Sequence, residues 1–426
     1  MRSETQRLKA GLRALLFCGC LLILPPSNVT TADELPANIV ALTGRELPRL
    51  LGAPPTELAA TAVHASTPTA IHVQVDQRTR AADGRWQYIF ETEAQPQAPH
   101  RREIADDDLV LLNLDEGGEQ MKHPPEHTTE IEVIGPDGSS HWFYVGRGGT
   151  AALPALLSYD PVADRVHGED YVLGFSRDGT PVIDTLVLGD PDHGTNILDR
   201  SKARLDVELA AGIGAVARTE NDVRVRTTGL HVGPLRIIRE CEVRGRMLLG
   251  LYSPPVRDDF VFYAHGFVLP TTLHLTPTAR MLTRRITLRI SMDLIDPSGA
   301  LTFQSAPDIP ASIVIDGHSG ARDGTAPIAW YLLRSGDIGL LGWLEAPAEV
   351  ARDVTVYYRD DRTHGDPPDT MAGEIGDHGF IYRQVGALPQ GDIHLTSHGW
   401  LLHGSQLDRP AAELQAIDAR PTVRIH

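Results

Sequence analysis

Apolar and polar residues alternate with a period of two along most of this chain, the pattern of half-buried β-strands. Residues 71–75 (Ile-His-Val-Gln-Val) alternate, and after an Asp83-Gly84 turn residues 86–90 (Trp-Gln-Tyr-Ile-Phe) return as a hairpin partner. Segments 128–133 and 141–145 repeat the arrangement around Gly135-Pro-Asp-Gly138, strong turn chemistry. The longest runs are central, at 204–209, 223–226, 235–247, 260–269 and 285–294. In the last of these, Ile286, Leu288, Ile290, Met292 and Leu294 fall on one face and Thr287, Arg289, Ser291 and Asp293 on the other. Such a division marks an antiparallel sheet with one buried side. Only 41–51 suggests a short helix, with Gly44 and Pro48 against it.

The pattern therefore predicts an all-β fold. Strands of this length point to a large antiparallel sandwich, of super-sandwich size, over 33–306. The Pro307-to-Pro310 stretch reads as a boundary, and the shorter strands beyond it predict a smaller immunoglobulin-like sandwich over 307–426.

The first 32 residues read differently. Arg2, Arg7, Lys9 and Arg13 precede an apolar run over 14–24, Pro25 and Pro26 end it, and Thr30-Thr31-Ala32 offers small residues for a peptidase. This is the plan of an export signal cleaved after Ala32, and the run is too short to span a bilayer, which takes about 20 residues. A periplasmic or extracellular location follows as the expectation. Removing the leader, with four basic residues and one acidic, moves the net charge from −17 to −20. An acidic chain lacks the cationic footprint that phosphate binding needs, which excludes nucleic acid as a partner class.

Candidate chemistry is sparse. Lysine occurs only at Lys9, Lys122 and Lys202, so amine catalysis has two places to occur outside the leader, and Lys122 lies in a Pro/His-rich turn. Cys241 is the one cysteine beyond the leader and reads as a buried small hydrophobe. Gly317-His-Ser319-Gly-Ala321 imitates a nucleophile elbow, but Arg322-Asp-Gly-Thr-Ala-Pro327 cannot supply the helix an elbow needs, so it reads as a polar turn. Asp190, Asp192, Asn196 and Asp199 place oxygen donors around Gly194 and form a calcium-loop candidate. The EF-hand order is not met, since Ser201 occupies the twelfth position; the alternative is a loop whose Asp and Asn side chains close their own turns. His378, His394, His398, His403 and His426 cluster late in the chain without a Cys or Glu at zinc-ligand spacing, and read as scattered histidines.

Two strand positions break alternation. Arg239 shares a face with Leu235, Ile237, Cys241 and Val243, and His265 shares one with Val261, Tyr263 and Phe267. An inward Arg or His must be paired or line a cavity unless the strand ends at an edge or bulge. The functional reading is a polar groove on the large sandwich, with Tyr263 and Trp142 as stacking platforms for a sugar.

Residues 232–243 (Val-Gly-Pro-Leu-Arg-Ile-Ile-Arg-Glu-Cys-Glu-Val) resemble the Gly-Pro-x-Arg strand of galactose-mutarotase-like super-sandwich domains of carbohydrate-active proteins. Segments 104–110, 196–200 and 248–254 resemble a group of uncharacterised bacterial exported β-rich proteins, a likeness that implies no activity. The first expectation is an exported, non-catalytic binding or accessory protein that takes a glycan or another exported protein and needs no cofactor. The second is a carbohydrate-active enzyme of the super-sandwich type, working through a His and a carboxylate. The third is an accessory subunit of an exported redox assembly, steered to basic partners by its acidic surface.

Overall fold

The computed structural model describes residues 35–81, 86–90, 103–149, 153–210, 214–246, 252–253, 255–273, 277–295, 300–306, 309–325, 330–385 and 393–426. The leader and the Asp83-Gly84 turn lie outside them. Among the described residues no helix is long and apolar enough to cross a membrane.

The fold is all-β and antiparallel, as the alternation predicts. Two large sheets face each other. A six-stranded sheet runs in the order Ala215–Arg218, Leu198–Leu209, Thr283–Leu294, Glu374–Val385, Val354–Asp361, Gly320–Ala321. A nine-stranded sheet runs Val223–Val232, Arg236–Gly245, Val256–Tyr263, Gly266–Leu273, Ile393–His403, Ile338–Glu345, Trp330–Ser335, Leu301–Ser305, Ile309–Val314. The core between them is built from the apolar faces the sequence marks: Ile286 and Leu288 pack with Ile237, Phe262, Phe303, Tyr358 and Phe380. Cys241 is buried there, and burial pushes its thiol up to about 12, which makes it an inert packing group.

The expected division at 306/307 is not how the chain is arranged. Both large sheets combine strands from the two sides of that point, and residues 393–400 of Ile393–His403 pair with Gly266–Leu273. One sandwich therefore spans most of the chain beyond residue 153. The first third forms its own layer: a five-stranded sheet of Leu58–His64, Thr67–Ile71, Thr129–Ile134, Ser140–Arg147 and the chain-terminal strand Thr422–Ile425, beside a three-stranded sheet of Ile39–Thr43, Leu109–Asn113 and Val73–Asp76. Leu42, Ile71, Val110, Ile131 and Phe143 form its core.

Local expectations are refined in three places. The hairpin around Gly135 forms as expected, between Thr129–Ile134 and Ser140–Arg147. The suggested helix over 41–51 is replaced by the strand Ile39–Thr43 and two 3-10 turns, since Gly44 and Pro48 interrupt any longer helix. The run 260–269 is two strands, Val256–Tyr263 and Gly266–Leu273, joined by a turn at Ala264 and His265.

The first layer is fastened to the sandwich by buried polar contacts. Arg236, fully buried, pairs with Asp76 at 2.6 and 2.7 Å, and the Gln74 Oε1 accepts the backbone N–H of Leu235 and Arg236. Burial opposes the Asp76 charge, but the Arg236 guanidinium outweighs it, with a hydrogen bond from His231 and its charge, and holds the carboxyl far below its ordinary range.

Candidate functional site

The sequence-predicted residues do not form one groove. Arg239 does face inward, and it is paired: Asp164 lies at 2.8 Å, Thr227 accepts from its Nε at 2.9 Å, and the Phe175 ring lies 4.1 Å from its guanidinium. Tyr263 is buried beneath Trp400, ring centroids 6.3 Å apart. Trp142 belongs to the five-stranded sheet and stacks on His426 at 5.4 Å. The Asp190 Oδ1 accepts the N–H groups of Asp192 and His193, Asn196 bonds the backbone of Leu186 and Leu198, and Asp199 accepts the N–H of Met371. The side-chain oxygens of Asp190, Asn196 and Asp199 serve separate hydrogen bonds, and the places where three metal-ligating groups converge among the described residues lie elsewhere. In the elbow-like segment, Asp360 gathers the N–H groups of Asp316, Gly317 and Ser319, and the Ser319 hydroxyl donates to Val314, as a polar turn does.

His265 is the predicted residue that reaches a cleft. Its turn lies against the end of Ile393–His403, and the register there explains why. Gly266 stands opposite Trp400 and Phe267 opposite Gly399. A Cβ on Gly266 would come within 2.4 Å of the Trp400 ring, and one on Gly399 within 2.4 Å of the Phe267 ring. Each glycine thus lets the facing aromatic ring lie across the strand pair, and the backbone N–H of Leu401 closes the corner on the His265 carbonyl at 2.7 Å. On the other side, Ala37 donates to Ile417 of the helix Pro410–Asp418, and Leu114 to Asn38.

The resulting cleft has a volume of ≈ 380 Å³ and is lined by Asn38, Asp115, His265, Trp400, His403, Gln406 and Glu413, among others. Small-ligand sites usually lie at roughly 300–1,000 Å³. Its polar groups are held in place: Asn38 Nδ2 donates to Asp115 at 3.1 Å, Gln406 Nε2 to Glu413 at 3.3 Å, and Arg409 pairs with Glu413 at 2.7 Å. Two polar atoms of the lining, Asn38 Oδ1 and His265 Nδ1, are buried without a hydrogen-bond partner in the protein.

A second constellation escaped the sequence reading. On the outer face of the six-stranded sheet, Lys202 stands opposite Ser291, Arg204 opposite Arg289, and Arg359 opposite Asp377. Residues 362–373 fold over this face with Asp366 and Asp369. The Lys202 Nζ is sealed from solvent, 2.7 Å from Asp293, 3.0 Å from Asp369, 3.5 Å from Asp377, 3.9 Å from Asp366 and 4.0 Å from Glu374. Arg204 pairs with Glu220 and Arg289 with Asp366, and the Tyr357 hydroxyl donates to Glu374 at 2.9 Å. Burial opposes the lysine charge, but the attraction of Asp377 and Asp293 outweighs it and raises its pKa. Burial and Asp377 raise Glu374 in turn. Asp366, Glu374 and Asp377 converge closely enough to hold an ion. Lys202 already supplies the cation at that place, so the cluster reads as an internal fastening of the 362–373 loop.

Two further clefts, ≈ 140 and 220 Å³, lie between the large sheets among Phe260, Leu288, Pro270 and Pro181. Asp258 lines the larger, and burial pushes its carboxyl up to about 7.

No family model matches this chain and no curated protein does. Among solved structures, it is similar to an alpha-mannosidase from Enterococcus faecalis V583, at 11% identity and a TM-score of 0.45, over 91% of this chain and 43% of that one. It is also similar to HI1317, at 9% identity and a TM-score of 0.29 over 59% of this chain and 100% of that one, and to a lysyl oxidase from Pichia pastoris, at 10% identity and 0.28 over 84% and 71%. The chain spans less than half the length of the mannosidase.

Proposed function

We propose that this chain is an exported, non-catalytic binding protein that takes a saccharide in the cleft at Trp400. The observation that carries the reading is the Trp400 indole in a ≈ 380 Å³ cleft whose lining also holds Asn38, Asp115, Gln406 and Glu413. A sugar ring offers an apolar C–H face for the indole and hydroxyls that both donate and accept, so it matches Asn38, Asp115, Gln406 and Glu413 at once. The resemblance of residues 232–243 to super-sandwich domains of carbohydrate-active proteins supports the same ligand class. The enzymatic alternative, a His and a carboxylate across the groove, would gain from Arg239 and His265 entering one cleft. Arg239 is instead spent on Asp164, which favours binding over catalysis.

The test is calorimetric titration of the full chain with a panel of neutral mono- and oligosaccharides, in parallel with Trp400→Ala. At least one saccharide binds, and the substitution weakens it by roughly tenfold or more, the worth of one well-stacked ring. Equal affinity in the two proteins, or no binding across the panel, removes the proposal.

A further inference from the structure

The geometry points to a binding site for a divalent transition ion of the zinc class, formed by Asp170, His265 and His403. The three come from separate segments: the turn before Tyr171–Phe175, the turn at Ala264 and His265, and the last residue of Ile393–His403. Their ligand atoms all lie within 4.8 Å of one another. Asp170 Oδ2 is 3.3 Å from His403 Nε2 and 3.9 Å from His265 Nδ1. A tetrahedral ion bonded at about 2.0–2.1 Å to nitrogen and oxygen sets its ligand atoms a little over 3 Å apart, so side-chain adjustments of up to about 1.5 Å close the site.

The surroundings of the two His265 ring nitrogens fit the same assignment. Its Nε2 faces Glu169 at 3.4 Å, while Nδ1, aimed toward the Asp170 carboxylate, is buried with no hydrogen-bond partner. A ligating imidazole does this: the outer nitrogen gives its proton to a carboxylate, and the inner nitrogen keeps a lone pair for the metal. The frame is fixed by backbone bonds close to each ligand, Glu169 N–H to Ala264, Gly189 N–H to Asp170 and Leu401 N–H to His265. Two imidazoles and one carboxylate select zinc, cobalt or nickel over calcium and magnesium, which take all-oxygen shells. Three protein ligands leave a coordination position open to water. His265 and His403 also line the saccharide cleft, but the ion site needs no saccharide, and its test uses none.

Zinc titration of the chelator-treated full chain, carried without a histidine tag, reads the site directly, with Co²⁺ absorbance as the coordination signature. The expected result is one ion per chain and a tetrahedral cobalt spectrum. His403→Ala and Asp170→Asn each weaken the ion by roughly tenfold or more. His403 lies at the rim, its side chain 44% exposed, so the variant keeps its fold, as circular dichroism checks. His398→Ala, whose ring stacks on Trp343, keeps full affinity. Absence of stoichiometric binding, or affinities unchanged in both His403→Ala and Asp170→Asn, overturns the assignment. Loss of saccharide binding with zinc binding intact overturns only the proposed function.

Discussion

Lys202→Met is expected to destabilise the protein by about 3–5 kcal/mol, the cost of stripping one partner from a buried ionic cluster. The methionine fills the volume but leaves Asp293, Asp369, Asp377 and Glu374 without the ammonium that all four approach within 4.0 Å. Glu374 is already raised by burial and by Asp377, so removing the cation drives these carboxyls further toward their protonated forms. The loss should then be larger at pH 8 than at pH 5, where protonation relieves the repulsion. Urea unfolding at the two pH values measures it. A loss below about 1 kcal/mol at pH 8 would show that the cluster is solvated rather than sealed. Because Asp366 and Asp369 sit on 362–373, that segment should also become the first site of limited proteolysis in the variant.

Asp258→Asn is expected to act in the opposite direction. The Asp258 carboxyl is buried in the inter-sheet cleft, helped by one long hydrogen bond from Thr272 at 3.4 Å, and is pushed up to about 7. Its folded-state pKa lies above the unfolded one, so between about pH 4 and 7 the native state keeps a proton that the unfolded chain has released. The stability this gives is complete below pH 4 and is lost as pH rises through 7. A shift of roughly three pH units corresponds to about 4 kcal/mol as a ceiling. Asparagine keeps the hydrogen bond without the charge, so the variant should be the more stable protein at pH 8, by a few kcal/mol, and its stability should change less between pH 4 and 8. Thermal unfolding across that range is the check, and a variant no more stable than the wild type at pH 8 would mean that Asp258 reaches water.

Much of this fold is written in the alternation of the chain, and the residues show where that legibility stops. The run 285–294 gives its strand and both faces correctly: Ile286 and Leu288 enter the core, while Arg289 and Asp293 join the charged outer face. Alternation does not say which strands pair. That Ile393–His403 returns to Gly266–Leu273 depends on contacts over 120 residues apart, which no local pattern encodes, and the expected boundary near Pro307 failed for this reason. Arg239 was legible as an inward charge needing a partner, although Asp164 carries no local signal that identifies it.

His265 was found for a partly mistaken reason. Its apparent break in alternation is a turn between two strands, and the signal that could have shown this is Gly266 within an otherwise continuous apolar run. Lys202 was legible only as a place for amine chemistry, and its buried ion cluster was not. It lies on a polar strand face, where a lysine is ordinarily solvated, but Asp366 and Asp369 of the folded-back 362–373 reach its ammonium, and Asp199 accepts the N–H of Met371. The cleft itself was illegible, because Asn38, His265, Trp400 and Glu413 come together only when the first layer, the hairpin turn and the final helix meet.

Hydrogen–deuterium exchange with and without the tightest-binding saccharide of the panel tests the central claim most directly. Slowed exchange is expected over 36–38, 264–266 and 400–406, with 285–294 unchanged. Protection confined to the strands around the inter-sheet clefts, 256–263 and 285–290, would contradict it and move the binding site into the sandwich.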